Sequence, residues 1–118
     1  MDEAVKKIAA LGLPGVILLV AMATTGLTGA AAITAALAML GPGGMIGGIM
    51  FLGVIGIAGE WLSKVGLEAF LKAVYQERWS NGQSIEKLCK EISNLPISKE
   101  LKSNLKEFLR KIEKRAKA

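Results

Sequence analysis

Histidine is absent from the 118 residues, which removes the commonest general base and the commonest metal ligand. The single cysteine, Cys89, excludes an intramolecular disulfide, and without a CxxC pair no cysteine metal site is expected. Its place on a predicted amphipathic helix suits a small core residue. No phosphate-cradling GxxxxGK[ST], no nucleophile elbow and no paired carboxylates suggest catalysis. Neither an enzyme nor a bound cofactor or metal is expected.

Charge is missing in a more informative way. Between Lys7 and Glu60 lie 52 consecutive residues without a charged side chain. From Glu60 onward there are 13 Lys or Arg and 8 Asp or Glu, so the second half carries the whole net charge of +5. Water-soluble folds of this size expose much of their surface and spread charge along the chain. One alternative is an apolar helix pair buried inside a soluble fold, but the block is far longer than a core helix needs. It is also several times longer than the apolar core of a cleaved signal peptide, despite Lys6 and Lys7 ahead of it.

The expected fold class is all-α: a transmembrane helical hairpin followed by a small basic helical segment. Three regions are expected: an amphipathic lead-in over 1–11, a hydrophobic hairpin over 12–62 and a basic cytoplasmic helical region over 63–118. In the lead-in, Asp2 and Glu3 favour the helix dipole, and Val5, Ile8 and Ala9 share one face. Gly12-Leu13-Pro14-Gly15 interrupts it, with Pro14 reading as a restart or kink. Gly15 to Leu40 would extend roughly 39 Å as one helix, enough to cross a bilayer of roughly 30 Å with tilt. Thr24-Thr25-Gly26-Leu27-Thr28-Gly29 bends or breaks it, giving one bent span or a re-entrant pair. The hairpin turn falls at Gly41, Pro42 and Gly43. Met45 to Leu62 forms the second span, with Trp61 and Lys64 as anchors at the membrane–water interface. Lysines flank the hairpin on both sides, so both termini are expected in the cytoplasm by the positive-inside rule.

The second half reads as three helices. The first runs from Gly66 to about Trp79, with Leu67, Phe70, Leu71, Val74 and Tyr75 on one side. After the turn Ser80-Asn81-Gly82-Gln83, Ser84 caps Ile85 to Ser93, whose stripe is Ile85, Leu88, Cys89 and Ile92. Ser98 caps the last helix, with its basic end from Arg110 expected to fray. There Leu101, Leu105, Phe108 and Ile112 recur at helical spacing and offer a face for a cytoplasmic protein partner. Nucleic acid is not expected, because Tyr75 and Trp79 are not interleaved with a basic cluster. Most of the lysines read as a solvated face, with anionic headgroups as a further use.

Twelve of the fourteen glycines fall between Gly12 and Gly59. Glycine costs about 1 kcal/mol in a water-exposed helix, but in lipid small residues let backbones approach closely. Gly26, Gly29, Gly44, Gly48, Gly56 and Gly59 therefore read as helix-packing positions. Small residues on more than one face favour packing between chains, in a homo-oligomer, as well as within one hairpin. No ionisable group lies in the spans, unlike those of pumps and proton relays. Thr24, Thr28 and Thr34 could line a weakly polar track, or bond back to their own helix.

The block from Gly26 to Gly59, GLTGAAAITAALAMLGPGGMIGGIMFLGVIGIAG, resembles the hydrophobic cores of small interferon-inducible membrane proteins of the 6/27 type. It is also similar to the hydrophobic hairpin of pore-forming colicins. The likeness covers about a third of the chain and rests on composition and spacing. It implies a membrane protein of stress, defence or cell-death biology. The helices after Ser84 have no counterpart in the interferon-inducible family, which leaves the regulator or partner open. The expected function is a small integral membrane protein that self-associates through its hairpin and perturbs or permeabilises a bilayer. The alternative is a non-conducting anchor or adaptor that presents the C-terminal helices. A further possibility, which the colicin likeness suggests, is a conditionally soluble chain that hides its hairpin until triggered.

Overall fold

The computed structural model describes residues 2–25 and 55–117, which form five α-helices and no strand. Helix α1 spans Asp2–Leu11, α2 Leu13–Thr25, α3 Ile55–Ser80, α4 Ile85–Ser93 and α5 Lys99–Lys117. The expected hairpin turn at Gly41, Pro42 and Gly43 lies outside the described residues, as do Gly26, Gly29, Gly44, Gly48, Thr28 and Thr34.

Helix α1 is amphipathic in the way its spacing requires. Ala4, Val5, Ile8 and Ala9 are buried, while Lys6 and Lys7 stand in solvent. Lys7 bridges Glu3 one turn earlier at 3.1 Å. At Gly12 the backbone enters the left-handed region, with φ of 68°. The chain turns by 119° there into α2. The corner is held by Gly12 N–H donating to Ala9 O at 3.0 Å and Val16 N–H to Gly12 O at 3.2 Å. Pro14 sits in the first turn of α2, where a missing N–H costs nothing. Gly15 is pressed against α1 so closely that a Cβ there would collide with the Ile8 carbonyl oxygen.

Helix α2 has no polar side. Val16 through Met22 are each at most 5% exposed, so protein encloses this stretch all the way round. Such uniform burial matches a helix that is apolar on every face. Among the described residues no single helix is long and apolar enough to cross a membrane, although the bent pair α1–α2 passes on length and composition.

Helix α3 is the hub against which α1, α2, α4 and α5 all pack. It is two helical pieces that meet at Gly66, whose φ of 83° and ψ of 165° are essentially confined to glycine. The break falls where the sequence changes from apolar to amphipathic. Beyond it, Phe70, Leu71, Val74 and Tyr75 are fully buried. The helix ends in a Schellman arrangement: Gln83 N–H reaches Arg78 O at 3.2 Å, and Gly82 N–H reaches Trp79 O at 3.0 Å. Gly82 supplies the positive φ this ending needs, at 102°.

Helices α4 and α5 follow their caps. Ser84 Oγ accepts from Lys87 N–H at 3.2 Å, and Ser98 Oγ from Leu101 N–H at 3.1 Å. Ile85, Leu88 and Ile92 from α4 meet Leu105, Leu109 and Ile112 from α5 in the core. The basic end beyond Arg110 does not fray but stays helical to Lys117. Buried Leu109 and Ile112 pin its middle, and Lys111 pairs with Glu107 at 3.2 Å. Its terminal cations Lys114, Arg115 and Lys117 also complement the helix dipole.

The α1–α2 corner makes a direct prediction. Gly15→Ala must push α1 and α2 apart and is expected to cost about 1–3 kcal/mol. Gly56→Ala, where nothing lies within 4 Å of the added carbon, is expected to gain about 0.5–1 kcal/mol. Denaturant titrations followed by circular dichroism compare the two; equal effects would contradict the described packing at the corner.

Candidate functional site

The residues expected to carry function fall in different places. Gly59 lies at the contact between α2 and α3, where an added Cβ would stand 3.4 Å from Met22 Cε. Gly56 is on the same helix but faces open space. Trp61 is half-buried, and the Lys64 ammonium sits 4.9 Å from its ring centroid while bridging Glu60 at 3.1 Å. Such a cluster keeps an amphipathic ring beside a solvated cation. Of the suggested partner face on α5, Leu105 and Ile112 are buried inside the fold, and Leu101 and Phe108 are half-buried against the same core. The Lys72 ammonium covers Phe108 at 5.7 Å from the ring centroid.

What sequence reasoning missed is a polar cluster that ties α3 to α4. Arg78 is only 5% exposed. Its guanidinium grips both carboxylate oxygens of Glu91, with the Nη2 arm at 2.9 Å from Oε1 and the Nη1 arm on Oε2. The Nη2 group also donates to Gln83 Oε1 at 2.9 Å. Tyr75 donates its phenol to Glu91 Oε2 at 2.6 Å, and the guanidinium lies 5.3 Å from the Tyr75 ring centroid. Among the described residues, Arg78 Nε is a buried side-chain nitrogen without a hydrogen-bond partner.

The local sequence builds this cluster. Tyr75 and Arg78 are three residues apart, so they share a face of α3 with Leu71 and Val74. The Schellman turn at Gly82 then reverses the chain and sets Gln83 beside Arg78. Glu91 follows Leu88 by three and precedes Ile92, which puts its carboxylate at the edge of the apolar stripe of α4. A cation at i+3 from a buried tyrosine, followed by a glycine stop, is the signal that was available.

Electrostatics fix the protonation states. Burial, and next the Glu91 carboxylate, push the Tyr75 phenol well above its ordinary value near 10, so it stays protonated and donates. Glu91 has both oxygens occupied and is not a free general base. A second link joins α3 to α5, where Asn104 Nδ2 donates to Glu68 Oε1 at 3.1 Å. That bond, and next Lys72, hold the Glu68 carboxyl below its ordinary value. Its contribution is present above the usual carboxylate range and is lost as pH falls through it. Among the described residues no three of His, Cys, Asp or Glu converge as a metal site would require. The arrangement is suited to clamping helices together rather than to chemistry on a substrate.

Two outcomes are expected from the clamp. Arg78→Met leaves Glu91 poorly compensated and is expected to cost about 3–5 kcal/mol, with part regained in the Arg78→Met, Glu91→Met double variant. For Tyr75 the folded pKa is raised, so its contribution is full below pH about 10 and declines as pH rises above the unfolded value. Tyr75→Phe should therefore flatten the alkaline loss of stability seen by circular dichroism between the wild type and the variant. No protein-family model matches the chain, and no curated protein or solved structure matches it either.

Proposed function

We propose that this is a small integral membrane protein whose uncharged block enters a bilayer, self-associates through its glycines and perturbs or permeabilises the membrane. The observation that carries this reading is the 52-residue stretch without charge, bounded by Lys7 and Glu60. No core built from 118 residues requires an uncharged stretch of that length. Helix α2 is apolar on every face, a property that fits lipid as well as it fits a protein core. The 119° corner between amphipathic α1 and apolar α2 gives the geometry of a helix lying in the headgroup plane beside one that dips below it. Trp61 with Lys64 supplies an interface anchor at the other end of the block. Lysines on both flanks place both termini in the cytoplasm in this reading.

Gly56 supports the self-association half of the proposal. It is exposed on the apolar half of α3, and among the described residues nothing lies within 4 Å of where its Cβ would stand. In lipid such a face favours close helix approach. The anchor or adaptor reading also has a specific observation in its favour. The Arg78–Glu91 clamp and the Asn104–Glu68 bond unite the second half of α3 with α4 and α5 in a module of their own. In that reading the block only holds the module at the cytoplasmic surface.

Dye release from liposomes separates the two. The full-length chain is expected to release dye, and Gly48→Leu with Gly56→Leu is expected to reduce both release and cross-linked oligomers severalfold. Stable insertion without release would overturn permeabilisation and leave the anchor. Undiminished release by the double variant would place the contact between chains elsewhere.

A further inference from the structure

One large hydrophobic side chain among the described residues stands in water: Leu13, 37% exposed. It opens a cleft of about 690 Å³ between the first turns of α2 and the far end of α4, with Ile17, Leu95, Lys87 and Lys90 among its walls. The volume lies within the roughly 300–1,000 Å³ of small-molecule sites. One wall is apolar, formed by Leu13, Ile17 and Leu95. The other carries two ammonium groups three residues apart on α4, neighbours on one helix face. Neither Lys87 nor Lys90 forms an ion pair among the described residues.

The acidic group in the cleft does not cancel them. Glu91 is gripped by Arg78 through both oxygens and also accepts from Tyr75, so its charge and its lone pairs are engaged. Asn94 spends its amide N–H on Lys90 O at 3.2 Å. The free charges facing the cleft are thus two cations, beside an apolar wall on which Leu13 is the exposed side chain among the described residues, with Ile17 and Leu95 buried behind it. Charge and shape together ask for an anion with a hydrocarbon tail. A polyanion or a free phosphate would use the lysines and leave Leu13 wet. A neutral alkane chain would cover Leu13 and leave the lysines without a partner.

We propose that this cleft binds a single-chain fatty acid, its carboxylate between Lys87 and Lys90 and its chain over Leu13, Ile17 and Leu95. The assignment goes beyond the membrane reading, because its residues lie in α2, α4 and the loop after α4 and need no bilayer around them. The Arg78–Glu91–Tyr75 cluster acts behind the site, keeping the one carboxylate there from repelling the ligand.

The test uses the full-length chain in phosphatidylcholine nanodiscs and a palmitate analogue with a diazirine on its chain. After irradiation, the modified peptides are mapped by mass spectrometry. Labelling is expected on the peptides that hold Leu13–Ile17 and Leu95–Pro96, competed by unlabelled palmitate. The alcohol analogue, which lacks the negative charge, is expected to label them severalfold less. Lys87→Gln with Lys90→Gln, both exposed positions, should lower labelling severalfold while circular dichroism stays unchanged. Labelling confined to 26–54, equal labelling by the alcohol, or no effect of the lysine changes would each overturn the site. Competition by phosphatidylglycerol as strong as by palmitate would replace the fatty acid with a membrane lipid and overturn the proposal as stated. Failure of liposome leakage leaves this result untouched, so the two proposals fail separately.

Discussion

Enclosure of α2 is the constraint on which the rest of the structure depends. A helix with no polar face cannot be half-solvated, since every apolar square ångström left in water costs about 25 cal/mol. Its neighbours answer that demand in different ways. Helix α1 folds back across its start through the corner at Gly12 and Gly15, and the first half of α3 lies alongside it, with Gly59 facing Met22. These contacts require little chemistry beyond size and apolarity, and aliphatic residues such as Ile8, Leu18, Leu19 and Met22 fill them beside Ala4, Ala9, Ala21 and Ala58.

The second half of the molecule is built on another logic. Its helices are amphipathic, and each has a cap, a stripe and a solvated face. Burial of Phe70, Leu71, Tyr75, Leu88, Ile92, Leu105 and Leu109 supplies the core. The polar links then fix which helix meets which. A buried ion pair is a poor source of net stability, because desolvation offsets most of its attraction. Its value lies in selection: only one seating of α4 on α3 lets Glu91 meet Arg78 and Tyr75 together.

Much of this was legible in the residues. The caps Ser84 and Ser98, the stop at Gly82, and the stripes of α4 and α5 follow from local rules with a period of 3.6, and the structure places them there. The interruption at Gly12–Gly15 was readable as a break but not as a 119° corner, because that angle comes from the fit of Gly15 on Ile8. Helical persistence beyond Arg110 was not foreseen, since run-on positive charge masked the packing of Leu109 and Ile112. The Arg78 cluster was hidden for a related reason. A charged residue reads as solvent-facing until its partner on another helix is known, and that partner is thirteen residues away. The apolar stripe of α5 was read as a surface for others. Much of it is consumed within the fold, because two amphipathic helices of the same chain already need it.

The break at Gly66 has a mechanical side. A continuous α-helix behaves as a stiff rod, and a twist or tilt applied at one end is delivered to the other through its hydrogen-bond ladder. At φ of 83° and ψ of 165° that ladder is interrupted. Nothing lies within 4 Å of where a Cβ would stand, so the glycine answers to a dihedral demand and not to a packing one. The two pieces of α3 therefore meet at a kink set by the dihedral angles of one residue. A twist applied to the apolar piece is then not carried past Gly66 by an unbroken helical ladder on its way to the clamp at Arg78.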